Sequence, residues 1–146
     1  MKKVLVTFII PFMLFLSSCA NPEQVEVEAI REVMEHSYVH GIQNLGGAEL
    51  IRPGFWDGFE MFMLVDNQIR KLPLEDWIAM VDERKADPDW PDEPVRAAYL
   101  DIDVAGTAAS VALELWRGDH LMFTDYFQLY KFDDGWKIVS KIFHRY

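Results

Sequence analysis

The sequence predicts an α+β domain in which helices cover one face of a curved antiparallel sheet. Three observations carry that expectation. A helical hydrophobic period is confined to the first half, alternating strands fill the second half, and the C-terminal hairpin is half apolar on both of its faces.

The elements follow in order. From Glu26 to Asn44, the residues Ile30, Val33, Met34, Ser37, Tyr38, Gly41 and Leu45 recur at helical spacing, and Gly46-Gly47 should end that first helix. Ser37 and Gly41 are small residues on the apolar stripe, leaving room for a close crossing or for a cavity. Ala48 to Ile51 reads as a short second helix stopped near Pro53-Gly54. Phe59 to Val65 and Gln68 to Lys71 read as strands around Asp66-Asn67. Leu74, Trp77, Ile78 and Val81 mark a third helix opening near Pro73, with Glu75 and Asp76 at its positive end. Lys85 to Pro94, with its prolines, acids and Trp90, must be an extended loop. Val95 to Val104, Ala108 to Arg117 and the two hairpin arms then form antiparallel strands, turning at Ala105-Gly106-Thr107 and Gly118-Asp119.

With Asp133-Asp134-Gly135 as a three-residue loop, Phe132 sits opposite Trp136 and alternate residues share a face. One face then carries Thr124, Tyr126, Gln128, Tyr130, Trp136, Ile138, Ser140 and His144, a mixture that suits a wet or ligand-filled cavity. The other carries Phe123, Asp125, Phe127, Leu129, Val139, Lys141 and Phe143. Its row Phe123, Phe127, Leu129, Val139 and Phe143 is too apolar to face water and is expected to pack on a twin subunit. Asp125 falls on that outer face, diagonal to Lys141 and Arg145, where an ion pair is its expected role.

The N-terminus points to an address. Lys2 and Lys3 precede an apolar run from Val4 to Phe15, too short at roughly 12 residues to remain as a spanning helix. It ends in Leu16-Ser17-Ser18-Cys19, which resembles the lipobox of bacterial lipoproteins. Cys19 is the only cysteine, so an intrachain disulfide is impossible and acylation is the expected use of the thiol. The expected divisions are a lipoprotein signal peptide at 1–18, a lipidated tether at 19–24 and one domain at 25–146, held on the outer side of a bacterial membrane. The chain has a net charge of −10, with 24 acidic against 14 basic residues. Such a charge repels nucleic acid and anionic headgroups, limiting membrane contact to the lipid.

The chemical candidates are few. His36 and His40, four apart on the first helix, lie on the flank of the apolar stripe and read as a solvated face, so no metal or cofactor is expected. His144 is the one candidate general base. No carboxylate is expected to point inward, which weakens catalysis. Tyr38, Trp56, Trp77, Tyr126, Tyr130, Trp136, Ser140 and His144 are the expected ligand-pocket set.

The element order, together with Lys71-Leu72-Pro73-Leu74-Glu75-Asp76-Trp77, Asp101-Ile102-Asp103-Val104-Ala105-Gly106-Thr107, Phe123-Thr124-Asp125-Tyr126-Phe127 and Asp134-Gly135-Trp136-Lys137-Ile138-Val139-Ser140-Lys141-Ile142-Phe143-His144, resembles the nuclear transport factor 2-like superfamily. Within it the chain resembles the bacterial putative lumazine-binding group. That resemblance implies a cone-shaped fold with a pocket between the first helix and the sheet, commonly dimerising through the sheet's outer face. It implies no activity. Where many such relatives carry a His-Pro pair after the second helix, this chain reads Phe55-Trp56-Asp57, and a tryptophan there is expected to narrow the cavity. The resulting expectation is a lipid-anchored envelope domain, a homodimer, that binds a small apolar or aromatic molecule without transforming it. The alternatives are an isomerase or dehydratase using His144, or an accessory domain that docks an envelope partner.

Overall fold

A computed structural model describes residues 21–146; Cys19 and the segment 1–18 expected to be a signal peptide lie outside the described residues. Helix α1, Pro22–Val33, opens on Asn21, whose side chain accepts a hydrogen bond from the Glu23 amide at 3.2 Å. Pro22 suits the first turn because its missing N–H would have had no helical partner. Residues 22–24, expected as tether, are therefore helical. The helix runs on as a π-helical segment, Met34–Gln43, a wide winding that is rare and tends to mark functional sites. Leu45 (φ 57°) and Gly47 (φ 90°) then reverse the chain.

The small residues on the stripe serve a close crossing. A Cβ on Gly41 would meet Ile51 Cγ1 at 2.9 Å, and one on Gly54 would meet the Ser37 side chain at 2.4 Å. Helix α2, Ala48–Ile51, and the turn Arg52–Gly54 are thus pressed onto the π segment. Helix α3, Leu74–Ala86, starts where Pro73 predicts and buries Leu74, Trp77, Ile78 and Val81.

Six strands form one sheet in the order β2-β1-β6-β5-β4-β3. They are β1 Phe55–Val65, β2 Gln68–Pro73, β3 Val95–Ala105, β4 Ala108–Arg117, β5 His120–Phe132 and β6 Gly135–Arg145. Neighbours are antiparallel except β1 with β6, which run parallel. A shift in that parallel pair between Phe55 and Glu60 leaves Trp56, Asp57 and Gly58 exposed.

The terminal hairpin departs from the expected register in one place. Its loop is only Asp133-Asp134, and Gly135 (φ 117°) pairs with Phe132. Leu129 therefore opposes Ile138, and a bulge at Val139 restores the expected register at Gln128 and Ser140. This one extra residue switches the phase of β6, so Trp136 and Ile138 join the face of Leu129, Phe127 and Asp125.

That face is the one the helices cover, the reverse of the sequence-based assignment. Phe127 and Leu129 are 0% and 1% exposed inside the chain, packed with Ile30, Met34, Leu113, Leu115 and Ile138. They cannot lie on a subunit interface. The expected outer row fails because Asp125 and Lys141 neutralise each other, and the remaining residues of that face are more apolar than the Thr, Tyr, Gln and Ser of its reverse. Tyr126, Tyr130, Ile142 and His144 lie on the exposed side.

Candidate ligand site

The site begins with a polar group sunk in the aromatic core. Tyr38, on the π segment, is fully buried and donates its hydroxyl to Asp125 Oδ2. The Tyr38 hydroxyl oxygen itself accepts from Lys141 Nζ at 2.9 Å and from Gln43 Nε2 at 2.9 Å. Lys141 Nζ also lies 2.9 Å from Asp125 Oδ1, with both side chains buried. The rings of Tyr38, Trp77, Phe127 and Phe143 surround the ammonium at 5.0 to 5.5 Å, presenting partial negative charge to it. Burial holds the Lys141 pKa below its ordinary value, opposed by Asp125. Burial, reinforced by the Asp125 charge, pushes the Tyr38 pKa well up, so the phenol stays protonated as a hydrogen-bond donor.

Over Lys141 opens a cavity of about 280 Å³. Its apolar walls are Met61, Trp77, Met122, Phe123 and Phe143. Phe143 and Phe123 meet edge to face at 5.7 Å, and Trp77 stacks on Phe59 at 5.8 Å, fixing both sides. Buried Lys141 and half-buried Gln43, both bonded to Tyr38, supply polar groups at one end, and half-buried Arg84 and Arg117 with the exposed Arg145 complete the polar lining. Asp125 and Tyr38 do not line it. Three polar contacts exhaust the Tyr38 hydroxyl, whereas Lys141 keeps an N–H for an occupant.

Trp90 also lines the cavity, with the guanidiniums of Arg84 and Arg117 over its ring at 5.1 Å and 5.7 Å. Its loop is secured where Asn44 pairs with the Val95 backbone, donating to the carbonyl at 2.9 Å and accepting from the amide at 2.8 Å. Beyond Trp90 lies a more open groove of about 560 Å³ lined by Asp87, Asp92 and Glu93 among others.

Of the expected pocket set, Trp77 lines the cavity and Tyr38 braces its floor. Trp136 is buried elsewhere, its indole donating to Glu26 Oε2 at 2.8 Å. Trp56 is 46% exposed and folds over Gly58, so it does not narrow the cavity. Tyr126, Tyr130, Ser140 and His144 lie on the opposite sheet face, with Ser140 bonded to Gln128 and the His144 ring against Tyr146. His144 is therefore not a base within this cavity. Phe123 and Phe143, expected at a subunit contact, are cavity walls, and Val139 is the half-buried bulge residue. Asp125 points inward after all, and its pairing with Lys141 is as expected. Sequence reasoning missed Lys141 and the three arginines as site residues. The signal available was the Asp125–Lys141 diagonal itself, since an opposite-charge pair can be buried where one charge cannot. His36 and His40 are exposed. Among the described residues no cluster of His, Cys, Asp and Glu is placed to hold a metal.

The comparisons with known proteins agree with this architecture. A family model described as putative lumazine-binding matches residues 25–144. An NTF2-like protein of unknown function from Shewanella baltica is 30% identical with a TM-score of 0.71, covering 86% of this chain and 98% of its own. An NTF-2 like protein of unknown function from Silicibacter pomeroyi is 18% identical with a TM-score of 0.66, covering 84% and 98%. A domain of unknown function with a cystatin-like fold from Nostoc punctiforme is 14% identical with a TM-score of 0.61, covering 84% and 78%. No curated protein matches.

Proposed function

The chain belongs to the putative lumazine-binding family of NTF2-like proteins, and from that premise we propose that it is a lipid-anchored envelope domain whose cone cavity binds a small, flat, aromatic molecule without transforming it. The observation that carries the reading is the cavity itself: aromatic and thioether walls around a few converging polar groups, the usual composition of a small-molecule site. The non-catalytic part rests on Asp125. Its carboxylate is held by Tyr38 and Lys141 below the cavity floor, so it is a structural counter-ion rather than a base open to a substrate. Lys141 would hydrogen-bond an acceptor on the bound ring.

The cavity is tested with N-phenyl-1-naphthylamine, an uncharged dye that brightens in apolar surroundings. Saturable brightening at one dye per chain is expected, and Met122→Trp should abolish it. Met122 is only half buried and sits at an irregularity of β5, so a larger ring there can enter the cavity without breaking the strand. No saturable binding would sink the reading.

Anchoring through Cys19 rests on Leu16-Ser17-Ser18-Cys19 and the absence of another thiol. Among the described residues no helix is long and apolar enough to cross a membrane. Cys19→Ser should release the domain from membranes or stall its processing; unchanged retention with normal cleavage would exclude lipidation.

A further inference from the structure

We infer that the molecule bound in the cavity is an anion, a flat aromatic or conjugated carboxylate whose acid group sits among Arg84, Arg117 and Arg145. This rests on the cavity being a ligand site and adds the ligand's charge and orientation. In a chain of net charge −10, three arginines converge on one opening of about 280 Å³. Among the described residues none of the three forms an ion pair with a carboxylate, although six other cations do. The twenty residues outside the described structure contain no Asp or Glu to supply one.

The cluster carries its own cost. Arg117 lines the cavity while its Nε is buried with no partner, a poorly compensated charge that an anion beside the guanidinium would offset. Arg84 is held below its ordinary pKa by burial and by the facing Arg145 charge. Asp87, Asp92 and Glu93 line the neighbouring groove, which Arg84 and Arg117 also border, but none of the three acids lines this cavity. Each guanidinium also lies over an aromatic ring, Arg84 and Arg117 over Trp90 and Arg145 over Phe123 at 5.2 Å, which aligns its N–H edge without neutralising its charge. Planar guanidinium forks suit a carboxylate. The aromatic walls behind them suit a ring, and Lys141 at the floor suits a ring carbonyl or hydroxyl at the other end.

The test is displacement of bound N-phenyl-1-naphthylamine by 2-naphthoate and by 2-naphthamide, which share one shape and differ in charge. Naphthoate should displace the dye at about tenfold lower concentration or less, the size of one or two charge-assisted hydrogen bonds. Arg145→Gln, at an exposed position, and Arg84→Gln should each narrow the ratio between naphthoate and naphthamide displacement. Equal displacement by acid and amide would overturn the anion assignment and leave the cavity reading standing. Failure of the dye itself to bind would remove both. A preference that survives in both arginine variants would also overturn the assignment, because the charge would then be read elsewhere.

Discussion

Lys141 is the residue on which the site turns, because it is buried among four rings and joined to one carboxylate. A buried ion pair contributes little against an apolar replacement of both partners, but removing one partner strands the other. Lys141→Met should therefore lower unfolding stability by about 3–5 kcal/mol, and adding Asp125→Leu should restore much of that loss. Denaturant unfolding of the two variants checks this; losses that simply add would show that the two side chains do not depend on each other. At this scale the sequence was half legible. The diagonal pairing of Asp125 with Lys141 follows from hairpin geometry alone. Their inward orientation does not, since an isolated charge favours water and only the pair's mutual neutralisation makes burial tolerable. The arginine cluster was illegible for another reason: Arg84, Arg117 and Arg145 come from α3, β4 and β6, and nothing local brings them together.

Among the elements, α1 is fixed to the sheet at Glu26. Its carboxylate accepts from Lys131 Nζ at 2.6 Å and Trp136 Nε1 at 2.8 Å, joining the first helical turns to the hairpin loop end. The hydrogen bond from Lys131, then that from Trp136, lowers its pKa below the ordinary 4.5. The stability this contact supplies is thus full above that ordinary value and is lost as the pH falls through the lowered one. Glu26→Gln should flatten the acid limb of the stability profile and leave the alkaline limb alone, as followed by thermal melts across pH. An unchanged acid limb would mean the contact is not maintained in solution. Element boundaries were largely legible, because Pro73, Gly46-Gly47 and the turn glycines punctuate the hydrophobic periods. The single-residue bulge at Val139 was not. A two-residue loop with a bulge and a three-residue loop without one leave the distal arms in the same register, and only packing on the helices distinguishes them.

For the whole molecule, the sheet's reverse face is the remaining candidate for the role first expected of the buried one. Tyr126, Tyr130 and Ile142 are 45%, 53% and 52% exposed around the Ser140–Gln128 hydrogen bond, an uncharged strip flanked on the same face by Glu60, Asp101, Asp103 and Lys137. We propose that a second copy packs there, since two like-charged molecules approach most cheaply where neither carries charge, and a two-fold axis makes the patch complementary to itself. Ile142→Glu should yield a monomer by sedimentation, and a wild-type domain already monomeric at micromolar concentration would refute it. The overall architecture was legible because helix-period residues precede strand-period residues with few interruptions. The cavity was only partly so, since the two hairpin faces are nearly equal in apolar content and their assignment decides which side chains line it. The most direct test of ligand binding is native mass spectrometry of the domain isolated without denaturation. One small molecule per wild-type chain, absent from Met122→Trp, is the predicted result. A wild-type chain that carries nothing and takes up no N-phenyl-1-naphthylamine would contradict it.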